Sequence, residues 1–301
     1  MTVINKSLRQ RLWKYQKERF PLVITIFTTS VLILSLARVV EGSVPSFPRL
    51  WLYINLGFLC LLFMIHIRFF DELRDYSHDN KHYPERPVQR GLVSLTEIRY
   101  LAYGTVILEL ALVAIIGWKF IIFYIPVLSY SLFASKDFWL GNKLKKYLLV
   151  YNSLQTSQLI FLLIFLFLAS EVSMNNNLSW ILYGVLVFLT IFIIEWARKM
   201  RLPQDENNSK DSYSAFLGKR GSAYGLIAIS FVCAWLIYSL LGMWQVKDFL
   251  YLWLIVFLPV VVVTAIWYVI KQSKNSVLAI QLSTLIYYFV IHLLIIFSPN
   301  A

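Results

Sequence analysis

Nine runs of predominantly apolar residues, each long enough to cross a hydrocarbon layer, leave this chain few alternatives to a bundle of membrane-spanning helices. A spanning helix needs about 20 such residues, and the runs fall near 20–40, 50–70, 95–117, 119–136, 146–170, 178–197, 221–242, 249–270 and 276–297. Inside lipid every backbone N–H and C=O must find its partner within the protein, which admits helices and closed barrels. Runs of this length belong to helices. Only Gly117, Trp118 and Lys119 separate the third run from the fourth, which predicts a tight antiparallel hairpin. The expected fold is all-α: one integral-membrane domain over residues 1–301, with nine helices around a central cavity and two acidic loops on the cytoplasmic side.

Basic residues orient the bundle. Of the 28 lysines and arginines, 24 precede the first run or lie in and beside the connections after the second, fourth, sixth and eighth runs. The other connections hold only Arg38, Arg49, Lys119 and Lys247. Lys and Arg are retained in the cytoplasm, so the N-terminus and the acidic loops are expected there and the C-terminus on the opposite side. The formal net charge of +12 then reports topology, with some attraction to anionic membrane lipid, and nucleic acid is not expected as a partner.

Residues 1–19 form a basic interfacial segment, and residues 5–20 place Leu8, Leu12, Tyr15 and, approximately, Phe20 near one helical face, as in a helix lying at the membrane interface. The first apolar run is long and carries no small-residue cleavage pattern, so it is expected to stay in the mature protein. Cys60 and Cys233 sit inside runs, where a thiol acts as a small apolar side chain, and they make no disulfide framework.

The densest polar pattern follows the second run, in the connection 71–94. Asp71, Asp75 and Asp79 recur every four residues, so if the preceding helix continues through them, each successive carboxylate turns only about 40° around the axis. Three acids on one face repel each other; such a face is either a solvated surface or a site for a multivalent cation. Glu72 adds a further acid, and Lys81, Arg86 and Arg90 supply the cations that a metal-bridged anion would require for its remaining phosphate oxygens. His66 and Arg68, just before Asp71, either face the same cavity or snorkel to the interface.

Farther along, Glu109 lies within the third run and either lines the cavity or stays protonated against a helix partner. Lys136, Asp137, Lys143, Lys145 and Lys146 cluster after the fourth run. Most of these read as topology charges. Asn152 and Gln155, three residues apart, can project into the bundle, where packing between helices is the default role of such amides.

The segment Asp71-Glu72-x-x-Asp75-x-x-x-Asp79-Asn80, followed by Arg86-Pro87-x-x-x-Gly91-x-x-Ser94, resembles the first aspartate-rich motif of the UbiA superfamily of intramembrane prenyltransferases. That family writes it Asn-Asp-x-x-Asp-x-x-x-Asp before an Arg-Pro and a small-residue turn. The spacing matches throughout; Asp71 replaces the usual Asn and Glu72 the usual Asp, and both still offer oxygen ligands. The family's second motif, Asp-x-x-x-Asp leading to a Gly, is similar to Glu195 through Gly218. Here Glu195 fits the first acid, but Lys199 stands at the second, and the next acids are Asp205, Glu206 and Asp211 in the loop 198–220.

The resemblance implies Mg2+ as cofactor, held by Asp71, Glu72, Asp75 and Asp79 together with Glu195 and acids from Asp205, Glu206 or Asp211. It makes Asp71, Asp75, Asp79 and Glu195 the residues on which catalysis rests. Arg86, Arg90, Lys143, Arg198 and Lys199 would hold the diphosphate. Two outcomes follow from ionising an isoprenyl diphosphate in such a site: transfer of the prenyl group to a lipophilic, aromatic acceptor, or cyclisation of the chain on itself as in terpene cyclases similar to this family. A transporter or non-catalytic scaffold would instead scatter polar residues through the middle of its helices, whereas the acids here concentrate in two connections.

Overall fold

Each apolar run becomes helix because no other arrangement satisfies its backbone in hydrocarbon. The computed structural model describes residues 7–43, 45–171, 177–206, 211–246 and 251–298; Lys6, Lys210 and Lys247, counted above, lie outside the described residues. Among the described residues nine helices have the length and hydropathy to cross a membrane. The chain is an integral, multi-pass membrane protein of all-α class, and no strand occurs among the described residues.

Two compact units divide the chain. The first takes residues up to Ile33 and then Ser46–Glu171; the second takes Leu34–Pro45 and the residues from Val172 onward. In the first unit α1 (Leu8–Arg19) precedes α2 (Leu22–Glu41), whose residues to Ile33 belong here, then α3 (Phe47–His82), α4 (Leu95–Ile116) and α5 (Ile121–Ser135). The expected hairpin is present: Gly117 ends α4 and a single 3-10 turn, Trp118–Phe120, leads into α5. A four-residue turn, α6 (Gly141–Leu144), follows, and the fifth apolar run is split at Ser157 into α7 (Leu148–Thr156) and α8 (Gln158–Ala169).

The second run differs most from its sequence-based boundary. The helix does not stop near residue 70 but continues to His82, so the acidic motif is helical and only 83–94 is irregular. Arg74 explains this physically: placed between Asp71 and Asp75, it pairs with both and offsets the repulsion that acids four residues apart would impose on a helix.

Helix α1 is packed on the first unit. Tyr15 is 1% exposed and stacks on Phe69 at 6.2 Å, with Phe20 edge-on to both. Arg11 forks onto Glu97 at 2.6 and 3.0 Å, and Glu18 accepts from Arg90 at 2.8 Å. Leu12, one of the apolar positions noted on this face, joins the same cluster beside Val88, Leu92 and Ile98.

The second unit holds α9 (Asn177–Arg198), α10 (Tyr213–Met243), α11 (Tyr251–Lys271) and α12 (Lys274–Ile296) beside the end of α2. The apolar window of α12 is 56% buried and that of α11 only 22%. So α12 is the interior helix of this unit, while α11 turns Ile255, Val263 and Ile270 outward as apolar surface. His292 of α12 is fully buried; its Nδ1 lies 2.8 Å from Ser35 Oγ, which also meets Tyr183 at 2.9 Å. These bonds fasten α2, α9 and α12 together, and His292 is accounted for as packing.

Candidate active site

The first polar cluster is built by α3, the turn after α5, and α7. On α3, Arg74 is only 10% exposed and its guanidinium is gripped from several sides. Nη1 lies 2.9 Å from Asp71 Oδ1, while Nε and Nη2 donate to the two oxygens of Asp75 at 3.1 and 2.8 Å. From α7, Gln155 Oε1 accepts from Nη1 at 2.9 Å. From the turn after α5, Asp137 Oδ1 lies 3.3 Å from Nε. Asp71 and Asp75 keep side-chain exposures of 26% and 30%, so this face is open on one side.

Asp137 is itself held firmly. Tyr151 Oη donates to its Oδ1 at 2.8 Å and Lys145 Nζ lies 2.8 Å from its Oδ2. Asp137, Phe138 and Trp139 all have positive φ, 49°, 54° and 55°, a conformation that non-glycine residues adopt at a cost. The turn also presses against Gly141, where an added Cβ would sit 2.8 Å from Asp137 Oδ2. A groove of about 400 Å³ opens beside Asp137, lined also by Lys136, Trp139, Leu140, Gly141 and the exposed Lys143.

The other acids of the first motif turn elsewhere. Glu72, 1% exposed, is bonded by Arg19 Nε of α1, which leaves it facing α1 and not the Asp71–Asp75 face. Asp79, 3% exposed, is bound by Arg86 Nη1, and Arg19 Nη2 approaches it at 3.8 Å. The Arg86 guanidinium also lies 3.8 Å over the Tyr83 ring, a cation–π contact that fixes its direction. Arg90 points to α1: its hydrogen bond holds the Glu18 carboxyl below the usual range. Burial, and then the charge of Glu72, pushes the Tyr15 phenol of α1 well above its ordinary value, so it stays neutral beside these acids.

The second cluster belongs to the other unit. Glu195 at the end of α9 is chelated by Arg198 at 2.7 and 2.8 Å, and Lys199 Nζ lies 3.4 Å from it. Asp211 pairs with Arg201 at 3.0 Å, and Glu206 accepts from Ser214 at 2.9 Å and from Ser212. Asp205 is exposed in a 3-10 turn. The loop is stitched to its own ends: Tyr213 N–H donates to Lys199 O at 3.0 Å, Arg201 N–H to Ser214 Oγ at 2.8 Å, and Tyr268 Oη to Arg201 O at 2.8 Å. Ser212 caps α10, and Gly218 kinks it with φ 70° and ψ 170°, a region open essentially to glycine alone.

Whether magnesium fits can be judged from these donors. Among the described residues no three His, Cys, Asp or Glu side chains gather to hold an ion by themselves. Magnesium needs no such cage, since one or two carboxylates with substrate phosphates suffice. Asp71 and Asp75, open on one side and already converging on one cationic group, fit that requirement. Glu195 is a single acid chelated by Arg198, with Lys199 at 3.4 Å.

Sequence reasoning gave no site role to Arg74, Asp137, Tyr151 or Gln155. Two signals were available: Arg74 stands three residues after Asp71 and beside Asp75, within reach of both on a helix, and Asp137 is the only acid between Glu109 and Glu171.

The arrangement can be set beside known proteins. No curated protein sequence matches this chain. A solved digeranylgeranylglyceryl phosphate synthase superposes with a TM-score of 0.62 at 15% identity, covering 97% of this chain and 99% of its own. A UbiA homolog from Aeropyrum pernix K1, solved in its apo form, gives 0.60 at 15% identity over 90% of this chain and 94% of its own. At such identities these neighbours speak for the fold alone. The sequence itself goes further: the model of the UbiA prenyltransferase family matches residues 30–285, and the chain belongs to that family.

Proposed function

We propose that this protein ionises an allylic isoprenyl diphosphate with the help of Mg2+ and transfers the prenyl group to a lipophilic, aromatic acceptor within the membrane. Family membership supports prenyltransferase-type chemistry. The observation that carries the finer reading is the convergence of Asp71 and Asp75 on one cationic centre at the open face of α3. Asp71 and Asp75 would hold the magnesium, which when bound neutralises the charge that builds on the departing diphosphate.

The chain's own residues do the rest. Arg86, fixed by Asp79 and Tyr83, offers a preorganised guanidinium to phosphate oxygens. Lys143 and Lys136 add positive charge along the neighbouring groove. Within the second loop Lys199 stands where the family's motif has its second acid, and Glu195 holds Arg198 and Lys199 beside it. The apolar helices keep water from the allylic cation once it forms. The acidic ends of α3 and α9 are assigned to the cytoplasmic side, where the basic residues concentrate.

Purified protein incubated with magnesium and labelled geranyl, farnesyl or geranylgeranyl diphosphate, alone and with a panel of lipophilic aromatic acceptors, tests this reading. Acceptor-dependent prenylated product is expected. A terpene formed without acceptor would replace transfer by cyclisation, and no diphosphate release under any condition would end the enzymatic reading.

A further inference from the structure

Arg74 occupies the point on which the motif's open carboxylates converge. Its guanidinium reaches Asp71 at 2.9 Å and Asp75 at 2.8 and 3.1 Å, the same two side chains that suit a divalent cation. Two further partners share its nitrogens: Gln155 Oε1 accepts from Nη1, the nitrogen beside Asp71, at 2.9 Å, and Asp137 Oδ1 lies 3.3 Å from Nε, the nitrogen that donates to Asp75. A forked Arg–carboxylate bond is among the stronger pairings available to a side chain. Magnesium, for its part, sheds its water reluctantly. Taken with Lys145, the cluster sets three carboxylates against two cations and leaves little net negative charge to draw in a hydrated ion.

We infer that Arg74 is a positioning residue that acts as a resident counter-ion: it holds Asp71 and Asp75 convergent and keeps a divalent cation out until the diphosphate arrives with it. When the cation and diphosphate enter together, the guanidinium gives up Asp71 and Asp75 and stays on Asp137 and Gln155, the partners it already has. The strained turn at Asp137–Trp139 serves to bring Asp137 to that place, and Tyr151 and Lys145 hold it there. This rests on the proposed function for the identity of the anion. The exclusion of metal from the substrate-free protein is a property of these side chains alone.

The test is a Mn2+ titration of the purified full chain without any prenyl substrate, followed by the electron paramagnetic resonance signal of the free ion. Wild type is expected to bind weakly. Arg74→Gln removes the resident charge and is expected to bind at least about tenfold more tightly, the range that loss of a charged hydrogen bond represents. Arg74→Lys keeps the charge but cannot fork onto two carboxylates, and a gain of about two- to threefold is expected; this variant carries the test if Arg74→Gln does not fold. Adding Asp75→Ala to Arg74→Gln should abolish the gain, which locates the ion. Unchanged or weaker Mn2+ binding in the folded Arg74 variants would overturn the inference, because a purely structural arginine predicts a loss on removal. Failure of every prenyl diphosphate to react would count against the proposed function, while the Mn2+ affinities would still decide the role of Arg74.

Discussion

Nδ1 of His66 lies 3.1 Å from both carboxylate oxygens of Glu109, and neither side chain is exposed. The contact joins α3 to α4 inside a membrane-spanning bundle. Nε2 of His66 meets Ser131 Oγ of α5 at 2.9 Å, Ser131 donates to Gln158 Oε1 of α8 at 3.0 Å, and Tyr124 Oη donates to Glu109 at 3.1 Å. Four helices of the first unit are thereby tied through one polar cluster. Of the alternatives open for Glu109 in the sequence, partnership with another helix is the one observed.

Removing one member of such a cluster should cost far more than removing the pair. Glu109→Leu alone leaves His66 buried without its main partner, and about 3–5 kcal/mol of stability should be lost. His66→Phe combined with Glu109→Leu should recover a good part of that, giving a coupling energy of at least about 1 kcal/mol in a double-mutant cycle. Reversible unfolding in mixed micelles measures it, and additive losses would mean the contact contributes nothing specific.

The acids should separate sharply in activity. Asp71→Ala and Asp75→Ala each remove an oxygen ligand from the open face of α3, and diphosphate release should fall by about 100-fold or more. Asp205→Asn, at an exposed position on the second loop, should stay within about twofold of wild type. Single-turnover release of labelled diphosphate checks both. Equal losses at Asp71 and Asp205 would deny the first motif its special place.

Much of this was legible in the chain, for definable reasons. The nine spans follow from run length, because hydrocarbon tolerates few alternatives to helix. The end of α3 was not legible, because hydropathy stops near residue 70 while the helix is carried to His82 by pairings such as Arg74 with Asp71. Spacing named Asp71, Asp75 and Asp79 as a set, yet Asp79 and Glu72 are taken up by Arg86 and Arg19. Arg19 lies 53 residues from Glu72 in sequence, and no periodicity links it to the motif. Arg86, 7 residues after Asp79, stands in the motif but reads there as a phosphate ligand and not as the partner of that acid. Asp137 reaches the site only through a turn with three consecutive positive φ angles, a geometry that no composition rule announces.

Gly218 offers a backbone test. Its φ of 70° and ψ of 170° interrupt α10 five residues after its start, and a side chain there is strained whatever space surrounds it. Gly218→Ala should lower stability by about 1–3 kcal/mol and loosen the loop that Ser212 and Ser214 hold together. Hydrogen exchange across Arg201 to Gly218 should rise more than in α12. If Gly218→Ala melts like wild type, the kink is not needed.

The attachment of α1 should depend on pH in a direction the structure fixes. Arg90 holds the Glu18 carboxyl below its ordinary value of 4.5, so the folded carboxylate binds its proton less readily than the unfolded one. A group depressed in this way contributes fully above its unfolded value and loses its contribution as pH falls through the folded value. Between about pH 7 and pH 5 the tether should therefore be constant, and below about pH 4 it should weaken. The Glu18–Arg90 pair is largely exposed, so screening keeps the effect small. The readout must be local: hydrogen exchange of α1 amides, corrected for intrinsic rates. Glu18→Gln should show at neutral pH the faster α1 exchange that wild type reaches only in acid, and its own α1 exchange should change less on acidification. Equal acid loosening of α1 in both proteins would assign the effect to other carboxylates, Glu97 beneath Arg11 first among them.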